Sequence, residues 1–294
     1  MSTALAITLR PAGAALAVQI VPPAPLPVAA LMRGRPAGEV AQLLPRLFNL
    51  CGAAQGLAAR LALGLPADAA DTRREILRDH LAKLCLSGPR LLGLDSRPLP
   101  TGWAEGGAGL SVALWGGDKP ADLAGWLATG RGMAPLLAEI AARFAPGEAT
   151  ADLPPLTEPM ALTAQENSPA GRVAEDPLMR AAEAAFGRGP LWRALGRLVD
   201  LDAFCAAPRP ARLTDDGTAL VAAARGTYAL RAETEAGRVT ALARVTPTDH
   251  LLAPGGALER ALATLPAAKA GLAALVVDLL DPCVAVDLRE LTDA

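Results

Sequence analysis

The sequence predicts an α+β fold that is mainly helical, on two observations. Ala, Leu and Val dominate a chain that is 52% apolar and only 3% aromatic, a balance that favours helices packed through small side chains. Most long segments also space their apolar residues at the helical period, whereas one segment near the N-terminus and one past residue 218 alternate like strands. The length, 294 residues, suits a single domain over 1–294 with a substantial core.

Each element follows from its local pattern. Ala4 to Arg10 and Ala15 to Val21 alternate around Pro11-Ala12-Gly13 and predict an opening β-hairpin. Ala37 to Leu65 is rich in helix formers, with Pro45 starting a new turn or kinking the helix. Asp71 to Leu86, DTRREILRDHLAKLCL, reads as an amphipathic helix with Asp71 or Thr72 as N-cap. Asp118-Lys119-Pro120 is expected to cap a helix running to Thr129, and Met133 to Phe144 forms the next. The proline-rich, acidic segment 145–177 predicts a long loop or lid with room for short strands, its Glu166 and Asp176 solvated. Leu178 to Cys205 returns to helix. Thr218 to Val245 predicts strands around a turn at Glu235-Ala236-Gly237. Two apolar helical runs, Ala257 to Leu265 and Leu272 to Leu280, lead to Asp281-Pro282-Cys283.

Several function classes are excluded by composition. Lys+Arg is 28 against 30 for Asp+Glu, so the chain lacks the basic excess expected of a nucleic-acid binder. The longest uncharged stretch, Pro11 to Met32, carries five prolines, which break any spanning helix, so no membrane association is expected. MSTALAITLR has no secretory pattern, so the chain is expected in the cytoplasm, where its four cysteines stay reduced. No C-x-x-C pair is present, which argues against structural zinc. The glycine turns at 116–117 and 130–132 lack the Lys-Ser/Thr of a phosphate loop, and two histidines are too few for a histidine-rich metal site.

Two cysteines stand in suggestive settings near opposite ends of the chain. Cys51 precedes Gly52 in RLFNLCGAAQG, and Cys283 follows an Asp-Pro turn in LLDPCVAV. Thiolates are soft ligands suited to iron or nickel. Taken singly, each is expected simply to pack, as are Cys85 and Cys205 in their apolar helices.

In combination, these residues resemble the large subunit of nickel–iron hydrogenases and, within that superfamily, its shortened expression and formation proteins. The large subunit carries R-x-C-G-x-C-x-x-x-H near one end and D-P-C-x-x-C-x-x-H near the other. Here the first reads Cys51-Gly52-Ala53-Ala54, with Asn49 for the arginine and Ala58 for the histidine. The second reads Asp281-Pro282-Cys283-Val284-Ala285-Val286, with Arg289 for the histidine. Arg33-Gly34-Arg35 through Arg46 is similar to the segment leading into the first motif, and ENSPAGR, Glu166 to Arg172, is loosely similar to an E-x-G-x-x-x-R stretch. Arg225-Gly226 matches the Arg-Gly of A-P-R-G, Thr246-Pro247-Thr248 a V-P-[ST] segment, and Pro254 falls near an Asn-x-x-Pro position.

The resemblance implies a nickel–iron hydrogenase large-subunit-like fold, shortened, in which Cys51 and Cys283 are metal ligands and Arg225, Pro247 and Thr248 surround the cyanide ligands of iron. The cysteines lost from each pair are those that bridge the two metals, so the resemblance implies no hydrogen turnover, no nickel and a non-enzymatic role. It implies a maturation scaffold that transiently holds iron with cyanide and carbon monoxide, with the large-subunit precursor and small maturation chaperones as partners. The alternative is a metal-free assembly chaperone using a large-subunit-like surface. A chain ending five residues after Arg289 is expected to need no proteolytic removal of a C-terminal tail. His80 is expected at or near the surface, and His250 as a loop histidine or a donor behind the pocket.

Overall fold

The chain opens and closes in one sheet. In a computed structural model that describes residues 4–48, 50–68, 70–207 and 209–291, strands β1 (Leu5–Ala12) and β2 (Ala15–Val21) form the expected hairpin. Its turn is Gly13-Ala14, one step later than predicted, because Pro11 still pairs with Leu16 and Gly13 takes the positive φ of 67°. Leu5, Ile7 and Leu9 alternate inward and are fully buried. The last strand, β7 (Val286–Glu290), adds in parallel to the other edge of β1, with Leu5 opposite Val286. A parallel neighbour needs a crossover, and here the crossover is nearly the whole chain.

Between them lie four more strands and fourteen helices among the described residues. The helices are α1 (Val28–Met32), α2 (Ala37–Leu43), α3 (Gly52–Ala62), α4 (Ala70–Ala82), α5 (Gly88–Leu91), α6 (Ala108–Trp115), α7 (Leu123–Leu127), α8 (Ala134–Arg143), α9 (Pro169–Arg172), α10 (Pro177–Phe186), α11 (Pro190–Ala206), α12 (Pro247–Leu251), α13 (Ala257–Ala263) and α14 (Ala273–Leu280). Strands β3 (Arg212–Leu213), β4 (Thr218–Ala223), β5 (Gly226–Glu235) and β6 (Arg238–Val245) form an antiparallel meander in that order. Its β5–β6 turn is Ala236-Gly237, both at positive φ, the mirror-image turn that suits a two-residue hairpin. Helix outweighs strand, 45% against 17%, in line with the mainly helical expectation.

The long run 37–65 does not form one helix. Pro45 sits in a 3-10 turn over Leu44–Arg46, and α3 starts afresh at Gly52. The predicted cap at Thr72 is also corrected: helix α4 already includes it. Asn49 and the side chain of Asp71, named above, lie outside the described residues. Past Ala82 the helix runs on as a π-turn over Lys83–Ser87. The 118–120 cap is replaced by Asp122, whose carboxylate accepts from the amides of Ala124 and Gly125. Gly187-Arg188-Gly189 splits the helix expected over 178–205 into α10 and α11.

The segment 145–177 is the irregular loop expected, broken by the short α9, but it is packed into the fold. It is not a lid: Ala149, Ala151, Leu153, Ala170 and Val173 are buried in the main core. Two apolar clusters organise the chain. The larger surrounds α11, which packs on α4, α8, α9, α10 and α14. The smaller lies where α2 and α3 meet β4, β5 and β6. Cys51 belongs to the smaller cluster, and Cys283, arriving from α14 of the larger one, packs against it.

Candidate cysteine site

Cys51 stands immediately before α3 in left-handed conformation, φ 56° and ψ 31°, a strained setting for a residue with a Cβ. Gly52 follows because a Cβ there would lie 3.2 Å from the carbonyl oxygen of Pro45. Helix α3 has no capping side chain of its own. The Glu75 carboxylate, on α4, accepts instead from the amides of Ala53 (3.0 Å) and Ala54 (3.4 Å). One turn further along α4, Asp79 forms an ion pair with Arg225 at 3.4 Å.

Cys283 comes from the other end of the chain. Helix α14 terminates at Asp281, also left-handed at φ 55°, and Pro282 carries the backbone to Cys283. The amide of Cys283 donates to Thr248 Oγ1 at 2.9 Å. Thr248 is fixed in turn by the capping box of α12, where Thr246 and Asp249 exchange hydrogen bonds and Pro247 occupies the first turn. The two remote sulfurs meet: Cys283 packs against the cluster that holds Cys51, close enough for each thiol to shift the other's titration.

Arg225 lies across this pair in the turn between β4 and β5, 8% exposed. Its Nη1 donates to Cys51 Sγ at 3.4 Å, and its Nε forms an ion pair with Asp281 at 3.1 Å. Asp281 also pairs with Arg197 at 3.2 Å and Lys83 at 3.0 Å. The turn that presents Arg225 is clamped from the proline-rich segment. Asn167 accepts from the Thr227 amide and donates to the Thr227 carbonyl, like a short strand. Arg172 donates to the carbonyls of Ala223 and Gly226. Gly226, at φ 148°, would bring any Cβ to 2.4 Å from Asn167 Oδ1.

Behind Arg172 stands a fully buried pair. Asp200 takes Arg172 at 2.6 Å and His80 Nε2 at 2.8 Å, while Arg197 Nη1 reaches His80 Nδ1 at 3.5 Å. The expected surface position of His80 is therefore wrong, because its ring is 0% exposed. Burial holds it neutral, below its ordinary pKa, with its proton on Nε2 facing Asp200. Burial works against the Asp200 charge, yet Arg172 and then His80 hold its carboxyl well below the usual range. Glu166 is not solvated either. It is 6% exposed and paired with Arg193 at 3.3 Å. Asp176 caps α10 and pairs with Lys119.

The titration of the thiol pair follows from their contact. Contact with Cys283 pushes the Cys51 thiol far up, and burial adds to it. The same contact lowers Cys283 against its burial penalty, helped by Arg225 and Thr248. The two thiols therefore titrate as one coupled pair. Burial opposes the Arg225 charge, but Asp281, Cys283 and Cys51 outweigh it and keep the guanidinium charged. A small cavity of about 20 Å³ is lined by Arg225, Pro247, Thr248 and Asp281 among others, and by neither cysteine.

All five residues singled out from the sequence, Cys51, Cys283, Arg225, Pro247 and Thr248, thus gather at one place. His250 is buried on α12, its Nδ1 accepting from Asn167 at 3.0 Å, so it supports the clamp rather than touching the thiols. Sequence reasoning missed Glu75, Asp79, Asn167 and the α11 stripe Arg193, Arg197, Asp200. Two signals were available: a helix starting C-G-A-A without a capping residue, and charges at helical spacing in the otherwise apolar LWRALGRLVD.

No family model matches the sequence. Solved structures do. A Ni-Fe-Se hydrogenase from D. vulgaris Hildenborough aligns with TM-score 0.58 at 13% identity, over 92% of this chain and 94% of that one. An NAD+-reducing [NiFe]-hydrogenase aligns with TM-score 0.53 at 15% identity, over 92% of each chain. The class is therefore that of the nickel–iron hydrogenase large-subunit fold. A Rhodobacter capsulatus protein, the hydrogenase expression/formation protein HupK, is 72% identical over 294 residues, 100% of both chains. The chain belongs to the HupK family.

Proposed function

We propose that this chain is a maturation factor for nickel–iron hydrogenase, a scaffold that holds an iron carrying cyanide and carbon monoxide and passes it to the large-subunit precursor. The observation that carries this reading is the contact between Cys51 and Cys283 beside Arg225 and Thr248. Two thiols are a small donor set. Among the described residues, no group of three or more His, Cys, Asp and Glu side chains could hold a metal ion. That suits a cargo bringing its own diatomic ligands and needing only two sulfurs from the protein, and it suits release.

The surrounding donors fit such a cargo. Thr248 Oγ1 accepts from the Cys283 amide and its hydroxyl favours the Cys283 thiolate; with a metal on that sulfur the hydroxyl can turn to donate to a cyanide nitrogen. Arg225 uses Nη1 and Nε in its contacts with Cys51, Asp79 and Asp281. Its Nη2 makes none of these and supplies a second, charged donor. The cavity of about 20 Å³ has room for one ligand of water size. Iron bound by two thiolates calls for reduced cysteines and hence a cytoplasmic step. Among the described residues no helix is long and apolar enough to cross a membrane.

Hydrogen turnover does not fit. Ala54 and Val286 occupy the positions of the second cysteines; Ala54 is fully buried in the smaller core, and Val286 is drawn into β7 opposite Leu5. The chain is an accessory protein in this reading, and small maturation chaperones are its further partners. The test is infrared spectroscopy of protein purified without air from cells that express the maturation machinery. Cyanide and carbon monoxide stretching bands are expected, with iron and without nickel, and both Cys51→Ala and Cys283→Ala should abolish them. A wild-type protein free of iron and of such bands would overturn the scaffold and leave a metal-free chaperone that docks on the large subunit.

A further inference from the structure

We propose that the groove between α3 and α4 is a docking channel for an acidic, extended segment of a partner protein. The groove encloses about 1000 Å³ and begins at Gly52, the residue after Cys51. Its lining carries four arginines, Arg46, Arg60, Arg74 and Arg78, against two acids, Asp68 and Glu75. Glu75 is already spent on the amides of Ala53 and Ala54. Arg60 donates to the Pro66 carbonyl, and Arg78 pairs with Asp79. Arg46 and Arg74 are exposed and have no hydrogen bond or ion pair among the described residues. The chain as a whole carries a formal charge of −2, so this positive field is local.

Shape and charge select the occupant. On the α3 side Gly52, Ala53 and Gly56 line the groove together with Leu57 and Arg60, so a chain can lie close along the start of the helix and meet an apolar contact and a guanidinium further on. An extended peptide of about six residues, ~20 Å long, matches the ~16 Å of an 11-residue helix. Carboxylates on that peptide meet guanidinium groups that form bidentate pairs. A nucleic acid is disfavoured, since Trp103 is the one aromatic residue in the lining, and stacking platforms need several. A segment seated here would bring its protein to the residue next to Cys51. The surface does not depend on the thiols holding iron.

The experiment measures fluorescence anisotropy of a fluorescein-labelled hexaglutamate peptide with the full chain at low salt. Binding is expected, and salt near 0.5 M should weaken it by screening exposed charges. An Arg46→Glu/Arg74→Glu variant should lose about tenfold in affinity, while Arg10→Glu/Arg90→Glu, which alters exposed arginines elsewhere, should not. The circular-dichroism melt of each variant confirms folding. Cys51→Ala should bind the peptide like wild type, which separates this outcome from the infrared result. Undiminished binding by Arg46→Glu/Arg74→Glu, no binding by wild type, or tighter binding of a single-stranded oligonucleotide than of the peptide would overturn the proposal.

Discussion

Removing the charge of Asp281 should cost more than removing either thiol, because one buried carboxylate holds three cations. Arg197, Arg225 and Lys83 approach it at 3.2, 3.1 and 3.0 Å. At an effective dielectric constant near 20, each contact has a gross attraction of about 5 kcal/mol, most of it offset by desolvation. The cations would not suffer equally from Asp281→Asn. Lys83 is 20% exposed and keeps Asp278 at 2.6 Å, and Arg225 keeps Asp79. Arg197, 2% exposed, would be left with only the Leu279 carbonyl and the neutral ring of His80. One uncompensated buried charge costs about 3–5 kcal/mol, a large share of the ~5–15 kcal/mol that holds a typical domain together. Urea unfolding followed by circular dichroism reads the loss as a lower midpoint with little change in slope. Arg197→Met/Asp281→Asn should recover at least half of it, since it removes the orphaned charge as well. A single-variant loss below about 1 kcal/mol, or a double variant no better than the single, would refute the account.

Two further outcomes follow from the support behind Arg225. Burial keeps both His80 and His250 below their ordinary pKa, while unfolded histidine titrates near ~6.5. As pH falls below that value the unfolded chain binds protons that the folded chain does not, so stability present above it is lost, by up to ~1.4 kcal/mol per pH unit for each ring. Asp200, depressed in the fold, extends the loss in the same direction at lower pH. His80→Gln should remove about half of the slope of the urea midpoint between pH 6 and 5, and an unchanged slope would contradict the assignment. Gly226→Ala forces a Cβ to 2.4 Å from Asn167 Oδ1 at a φ of 148°, so it should destabilise by about 2–5 kcal/mol. Wild-type stability in that variant would show that the Asn167 clamp yields freely.

Period and composition were enough for the hairpin at the start, the meander past residue 218 and most helices, because those depend on contacts between near neighbours in the chain. The break at Pro45 was legible because a proline forced it, whereas the break at Gly187-Arg188-Gly189 inside the helix expected over 178–205 was not read, and breaks whose cap came from elsewhere were illegible. The N-terminus of α3 is capped by Glu75 of α4, which no reading of GAAQGLAARLA could contain. The segment 145–177 misled for a related reason. Its prolines do prevent regular structure, but irregular backbone can still be buried when side chains such as Gln165 and Arg188 satisfy it.

What the sequence determined by itself was the set of reactive residues: two cysteines in half-kept motifs, an Arg-Gly and a Pro-Thr. Their chemistry is intrinsic to their side chains. What only the tertiary structure decided was their meeting. The parallel pairing of β7 with β1, the packing of α3 on β4 and β5, and the buried charges of α11 set the thiols in contact and keep Arg225 charged beside them. Distance along the chain carries no information about distance in space once closure is paid for by two cores, and a pKa depends on neighbours that the linear order does not name.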